Sequence, residues 1–360
     1  MRVCFISVEI FAWGKFGGFG RSTRMLGREL ARRGVEVTAV VPRRPGQQPV
    51  EVLDGIRVLG FDPRQPFSAL ALFRQADADI YHSQEPSFGT YLAQHAMPKR
   101  KHIVTFRDTR DLHDWWVEFK YPSMSKLQVI SNFIYEDNIL VHGAVRTADA
   151  RLCAAKLLIS KARKKYGLPN DPLFVPSPIP FPDVIQKAER PRVCFIARLD
   201  RRKRPQIFFD LARQFPDVQF TAVGAGQDAG FERELRAVYG NVPNLEIRGF
   251  IDQFDGTELS EILGESWVMV NTSARESLPT TFVEAAAHGC ALLSGIDPDG
   301  FSSNFGYHVT DGDYGTGLSF LLEREHWRSK GELGMQYARA TFSLERSIER
   351  HLEIYNGLFT

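Results

Sequence analysis

MRVCFISVEIFAWGKFGGFGRSTRMLGRELARRGVEVTAVV, residues 1–41, is the stretch that decides the fold. Residues 3–8 form a short apolar run, and a glycine-rich loop follows at 14–20. Residues 22–33 then place Met25, Leu26 and Leu30 on one face of a helix. Gly34 ends that helix and residues 35–41 supply a second strand, so the stretch reads as one βαβ unit of a parallel sheet. Strand candidates at 57–60, 80–82 and 102–105, separated by turn or helix signals, extend it into a doubly wound domain.

Downstream, residues 168–190 hold Pro169, Pro172, Pro176, Pro178, Pro180 and Pro182, a density that sustains neither helix nor central strand. The domain boundary is placed there, giving an N-terminal domain over 1–178 and a C-terminal one over 179–342. A strand restarts at 192–197, a helix follows at 205–215 with Ile207, Leu211 and Phe215 in register, and the next strand is 218–223. Segments 245–247, 267–271 and 291–294 continue the alternation. The final helix, 343–358, carries an apolar stripe of Leu344, Ile348, Leu352, Tyr355 and Leu358. Two such domains in series set the carboxyl ends of two sheets, with their anion-binding helix N-termini, around a cleft suited to a phosphorylated ligand.

Composition narrows the classes. Forty-five basic and 43 acidic residues leave a formal charge of +2, which gives no global attraction to nucleic acid. Cys4, Cys153, Cys194 and Cys290 lie in apolar or small-residue segments without zinc spacing and read as buried thiols of a reducing compartment, with no metal site. The first residues lack the pattern of a signal peptide, and no apolar run approaches the roughly 18 residues of a membrane span, so a cytoplasmic location is expected. Lys161, Arg163, Lys164 and Lys165 beside Leu157, Leu158 and Ile159 leave two readings of one helix: peripheral contact with the inner membrane face, or a solvated basic face.

Arg198 follows a strand directly and Lys203 precedes a helix, so both cations stand at a strand's carboxyl end, where a diphosphate would be held. Fixed cations there stabilise the charge that develops when a nucleoside diphosphate leaves a sugar, and they do so without a metal. Arg201, Arg202 and Arg204 around the pair allow the plainer reading of a solvated basic loop. Residues 275–289, RESLPTTFVEAAAHG, follow another strand, and Pro279 suits the first turn of a helix. That places Glu276 in the preceding loop, near a sugar ring, and Glu284 inside the helix, in reach of ribose hydroxyls, with the amides of Thr280 and Thr281 as phosphate donors. Two surface glutamates are the alternative.

The order of these features resembles the retaining glycosyltransferases of the GT-B fold, the group that uses nucleotide sugars. Ala197 to Lys203 reads ARLDRRK, with Arg and Lys five apart, VGAG stands at 223–226, IRGFI at 247–251 and EAAAHG at 284–289. GGFGR at 17–21 is similar to that family's N-terminal glycine loop, and the last helix to its crossover helix, which packs back on the first domain. The resemblance implies catalytic roles for Glu276, Arg198 and Lys203. It implies donor contacts from Glu284, Ser277, Leu278, Thr280, Thr281, Gly17, Gly18, Gly224 and Ile251. It also implies retention of anomeric configuration, a nucleoside-diphosphate sugar as co-substrate, and no metal or other cofactor. The acceptor is a saccharide, a lipid-linked or a small-molecule hydroxyl.

Two departures from the family's pattern bear on the site. TFRD at 105–108 has Arg107 where the family commonly has His, and Arg107 with Asp108 are the acceptor-side candidates; a permanent cation suits a phosphate or acidic acceptor rather than general-base work. Pro279 stands where the family usually has Gly, leaving the amides to Thr280 and Thr281. Residues 107–116, RDTRDLHDWW, are expected as a loop whose tryptophans either stack on an acceptor sugar or close a core. His82 and His113 receive no ligand role. Gly224, Gly226 and Ala229 also fit a dinucleotide fingerprint, but the second strand runs into Pro42, Arg43 and Arg44 rather than an acid for the ribose. A sugar-nucleotide epimerase, a phosphorylase-like enzyme and a non-catalytic nucleotide-binding scaffold are the alternatives on the same fold.

Overall fold

The computed structural model describes residues 1–14, 17–254 and 256–360; Lys15 and Phe16 of the predicted glycine loop lie outside the described residues. The chain divides into two compact units. The first comprises Met1–Asp111, Ser131–Pro178 and Leu344–Thr360, the second Leu112–Ile130 and Ile179–Ser343. Residues 112–130, which the sequence reading leaves with the first half, thus belong to the second unit.

Along the first half run β1 (Arg2–Ile6), α1 (Gly18–Arg32), β2 (Glu36–Pro42), β3 (Val50–Leu53), β4 (Ile56–Phe61), α2 (Ala69–Ala76), β5 (Ile80–Ser83), α3 (Phe88–Ala96) and β6 (Lys101–Phe106). Helices α4 (Leu112–Lys120), α5 (Lys126–Glu136) and α6 (Ile139–Thr147), strand β7 (Ala150–Cys153), helix α7 (Leu157–Tyr166) and strand β8 (Leu173–Phe174) follow. Among the described residues, the first unit's sheet has eight strands in the order β3-β4-β2-β1-β5-β6-β7-β8, parallel except at the β3–β4 hairpin. Asp54 and Gly55, both at positive φ, make that hairpin's turn, the Asp-Gly pair that such turns favour.

Helix α1 starts four residues earlier than its apolar periodicity suggests, because small residues let it lie close to the preceding chain. A Cβ on Gly20 would stand 2.9 Å from the Ile10 carbonyl carbon, and the Gly20 amide donates to Glu9 Oε1 at 3.0 Å. Met25, Leu26 and Leu30 are buried as their spacing requires.

Residues 112–116 are not the loop the sequence suggested but the first turns of α4. Trp115 is buried and Trp116 exposed, while Asp114 and Glu118, one turn apart, face inward. With its polar side inside, the helix shows no ordinary amphipathic pattern in the sequence.

The second unit contains β9 (Arg192–Ile196), α8 (Pro205–Gln214), β10 (Gln219–Val223), α9 (Ala229–Tyr239), β11 (Leu245–Ile247), α10 (Glu258–Glu265) and β12 (Val268–Asn271). After these come α11 (Thr280–Ala287), β13 (Ala291–Ser294), α12 (Phe301–Phe305), β14 (Gly306–His308), α13 (Tyr314–Leu322) and α14 (His326–Phe342), before α15 (Leu344–Gly357) returns to the first unit. Among the described residues its sheet is a six-stranded parallel one, order β11-β10-β9-β12-β13-β14. The central strands β1 and β9 carry the same five residues, RVCFI, a continuous apolar run of the kind a strand covered on both faces requires. Phe195, Phe208 and Phe220 pack as one aromatic cluster beneath this sheet. The two sheets make the doubly wound, two-domain GT-B architecture that the sequence predicts.

All four cysteines are free and buried. Among the described residues no helix is long and apolar enough to cross a membrane. On α7, Leu158 is buried, while Lys161 pairs with Asp111, Arg163 with Asp171 and Lys165 with Asp137.

Candidate functional site

In a parallel sheet the carboxyl strand ends and the following turns gather polar groups at one edge. In the second unit those turns follow β9, β10, β11 and β12. After β9, the backbone turns within a few residues: the buried Asp200 accepts the Lys203 amide through Oδ1 at 3.0 Å, and its Oδ2 lies 3.5 Å from Arg198 Nε. Asp200 therefore fixes the turn that carries Lys203 and sets a buried negative charge beside the Arg198 guanidinium. After β10, Gly224 sits at φ 141° with its Cα against the β9 end, where a Cβ would meet the Ala197 carbonyl oxygen at 2.0 Å. The position therefore accepts glycine alone without rearrangement. The Gly224 amide donates to the Gly249 carbonyl at 3.1 Å, tying the turn that leads to Ile251 into the same edge.

The turn after β12 is stitched to the turn after β9. Thr272 Oγ1 donates to the carbonyls of Lys203 and Arg204 at 2.6 and 2.9 Å, the Arg204 guanidinium donates back to the carbonyls of Thr272 and Ser273, and the Ala274 amide donates to the Arg202 carbonyl at 2.9 Å. Glu276 and Lys203, far apart in sequence, meet here as an ion pair, both nearly buried, and Ser273 Oγ donates to Glu276 Oε1 at 3.0 Å. Of the surrounding arginines, Arg202 and Arg204 are held by protein partners and Arg201 is exposed. Arg204 is held in the left-handed region, φ 50°, by those carbonyls, Arg202 pairs with Glu118, and Arg201 lies over the Phe231 ring at 4.5 Å.

Helix α11 follows at once. Pro279 stands outside it as the N-cap rather than in the first turn, so the helix begins with Thr280 and Thr281, whose amides have no intrahelical acceptor. Ser277 is buried, Leu278 packs on the apolar layer under the helix, and Glu284 is buried within it, its carboxylate one turn from the helix start. Arg198, Lys203, Gly224, Ile251, Glu276, Ser277, Leu278, Thr280, Thr281 and Glu284 all belong to this one unit. A cation pair, a helix N-terminus and two carboxylates at one sheet edge can bind a diphosphate beside hydroxyl groups. Asp200, Arg202 and Arg275 went without a role in the sequence reading; Asp200 stands inside the quoted ARLDRRK stretch, and Arg275 heads the glutamate segment.

Gly17, Gly18, Arg107 and Asp108 belong to the first unit. Gly17 is the N-cap of α1, and a Cβ there would stand 2.1 Å from Glu9 Oε1. Arg107 is buried: Nε donates to the Gln84 carbonyl at 3.0 Å, Nη2 to Gln84 Oε1 at 2.7 Å and Nη1 to Ser177 Oγ at 2.5 Å. Burial pulls its pKa down to about 10, still cationic at neutral pH. Glu85 Oε2 accepts the amides of Arg107 and Asp108 at 2.6 and 3.0 Å, and burial, reinforced by the Asp108 charge, pushes Glu85 up to about 8. Arg110 joins Asp108 to Glu136. His82 is fully buried, its ring nitrogens 2.7 Å from Tyr355 Oη and 2.6 Å from Thr105 Oγ1, so it ties α15 to the sheet. His113 is exposed and stacks on Trp116. Among the described residues no group of three or more His, Cys, Asp and Glu is arranged to hold a metal ion.

Comparison with known proteins supplies a second line. The model of Glycosyltransferase Family 4 matches residues 16–178, and that of the glycosyl transferases group 1 matches residues 181–310. No curated protein sequence matches the chain. Among solved structures, a sucrose-phosphate synthase from Thermosynechococcus elongatus superposes with a TM-score of 0.76 at 17% identity, over 99% of each chain. Anabaena HepE in complex with UDP-glucose gives 0.75 at 13% identity, covering 99% of this chain and 100% of that one. The catalytic domain of starch synthase IV from Arabidopsis thaliana, bound to ADP and acarbose, gives 0.66 at 14% identity over 99% of each. At these identities the likeness is one of fold.

Proposed function

The chain belongs to the GT-B glycosyltransferases, and from that premise we propose that it moves a sugar from a nucleoside-diphosphate donor to an acceptor hydroxyl with retention and without a metal. The contact of Lys203 with Glu276, beside Arg198 and the start of α11, is the observation that carries the reading. One cation and one carboxylate brought together at the sheet edge give a diphosphate and its sugar adjoining partners.

In this reading Arg198, Lys203 and the amides of Thr280 and Thr281 hold the diphosphate, with Ser277 and Leu278 lining it. Glu284 accepts hydrogen bonds from the ribose, the backbone at Gly224 and Ile251 flanks the nucleoside, and Glu276 contacts the sugar. As the bond between the anomeric carbon and the diphosphate oxygen breaks, its electron pair goes to the diphosphate. The acceptor oxygen bonds to the same face of the carbon, and its proton passes to the departing phosphate oxygen. Arg198 and Lys203 stabilise the charge that grows there, which a ground-state donor lacks. Gly17 and Gly18 contribute donor contacts from the N-terminal loop, Arg107 and Asp108 serve the acceptor side, and the four buried thiols support a reducing, cytoplasmic setting. HepE with UDP-glucose and starch synthase IV with ADP support a nucleotide-linked donor of either base class. The test is NMR of the product formed with an active donor: the anomeric coupling should match that of the donor, and an inverted coupling would exclude retention.

A further inference from the structure

Helix α4 is built the wrong way round for a helix docked by its apolar side. Its inner face carries the buried Asp114 and Glu118 beside Trp115, whereas Leu112, Trp116 and Phe119 are exposed. Burying two carboxylates while exposing three large apolar groups opposes the usual transfer energies, so specific partners must hold the acids in place. Those partners are Arg275 and Arg202. Arg275 Nε donates to Asp114 Oδ1 at 2.7 Å and its Nη1 to Glu118 Oε1 at 3.1 Å, and Arg202 Nη1 donates to the same Glu118 oxygen at 2.8 Å. All four side chains are nearly buried.

The two arginines are the chain neighbours of the two donor-site ions. Arg275 precedes Glu276, Arg202 precedes Lys203, and Glu118 grips both arginines at once. We propose that Asp114 and Glu118 are positioning residues of the donor site, fixing through Arg275 and Arg202 the separation of the Glu276 and Lys203 turns; this rests on the donor-site reading above. A guanidinium bonded to two carboxylates cannot rotate without losing a charged hydrogen bond, so the backbone on which Glu276 stands is held at one angle. The bonds through Thr272, Ser273 and Ala274 tie the turn up to Ala274, and the arginine–carboxylate contacts extend that hold to Arg275, next to Glu276.

The test uses the full chain and whichever of the UDP, GDP, ADP and dTDP sugars the wild type turns over. On charge alone, Glu118→Gln removes a negative group near an anion site and should leave the donor KM unchanged or lower it. Loss of positioning instead lowers kcat, by ~10- to 100-fold for a displacement of order 1 Å. Glu118→Asp, which keeps the charge with a shorter reach, should recover part of that loss, and Asp114→Asn, which weakens the hold on Arg275 alone rather than on both arginines, should show a smaller one. If Glu118→Gln does not fold, Asp114→Asn carries the test through its smaller fall in kcat. A folded variant with a lower melting temperature and wild-type kcat would overturn the proposal and leave these acids a purely structural role. A wild type that turns over none of the donors would sink the donor-site reading and this inference with it, whereas an active wild type with unaffected variants sinks this inference alone.

Discussion

Replacing Glu276 by Gln separates the two jobs its carboxylate performs. Glu276 pairs with Lys203, both side chains about five-sixths buried, so it competes with any diphosphate for that cation. Two unit charges 4 Å apart at an effective dielectric of 20 interact by about 4 kcal/mol, an upper bound on the competition. Solvent reorganisation and the remaining neighbours of Lys203 bring the realised gain to about 1–2 kcal/mol. Glu276→Gln should therefore bind a bare nucleoside diphosphate about 5- to 30-fold more tightly. Sugar transfer should fall by two orders of magnitude or more if Glu276 contacts the transferred ring, about 2.7 kcal/mol of transition-state stabilisation. Titration calorimetry of wild type, Glu276→Gln, Lys203→Met and the double variant gives the coupling, and donor turnover gives the second quantity. Unchanged or weaker diphosphate binding by the folded Glu276→Gln protein would refute the competition on which this rests.

Further expectations concern the frame of the site and its titration. Gly224→Ala forces a side chain into positive φ and against the Ala197 carbonyl, so it should lower the stability of the second unit by about 2–4 kcal/mol and disturb Arg198; a loss below about 0.5 kcal/mol in urea unfolding would contradict the close approach. Glu85, raised by burial to about 8, keeps a proton in the folded state that the unfolded chain releases near its ordinary 4.5. Its contribution to stability is therefore lost as pH rises between those values, at no more than about 1.4 kcal/mol per pH unit, and Glu85→Gln should flatten that slope in chemical denaturation. Burial lowers His82 well below 6.5 and His351 to about 4. These groups stabilise the fold above pH 6.5 and lose that contribution as pH falls through the folded values. A His351→Leu variant whose melting temperature falls as steeply between pH 6.5 and 4.5 as the wild type's would count against it.

The doubly wound architecture is legible because apolar runs such as RVCFI, each followed by a helical stripe, have no other economical burial. The placement of Arg198, Lys203 and Glu276 is legible for the same reason: each stands in a turn past a strand, where a parallel sheet collects its polar groups, and Glu284 lies in the helix that follows. The contact of Lys203 with Glu276 is a different matter, since it depends on how the turns after β9 and β12 are stitched through Thr272 and Arg204. Helix α4 was hidden because helix recognition assumes an apolar face inside, and here the inside face is acidic. Strand β4 falls on the candidate at 57–60, whereas β3 was missed: Asp54-Gly55 signals the hairpin turn, but the half-exposed Val50–Leu53 lacks a continuous apolar run. Arg107 shows a further limit: a cation expected to meet a ligand has Gln84 and Ser177 around its guanidinium, partners no local pattern indicates.

The central claim, cation-assisted departure of a nucleoside diphosphate, is tested most directly by following nucleotide release from UDP, GDP, ADP and dTDP sugars by mass spectrometry, with and without EDTA, for wild type and Lys203→Met. At least one donor should be consumed by the wild type at the same rate in EDTA, and Lys203→Met should lose at least ~100-fold of that rate. Release abolished by EDTA, or retained in full by Lys203→Met, would contradict the account.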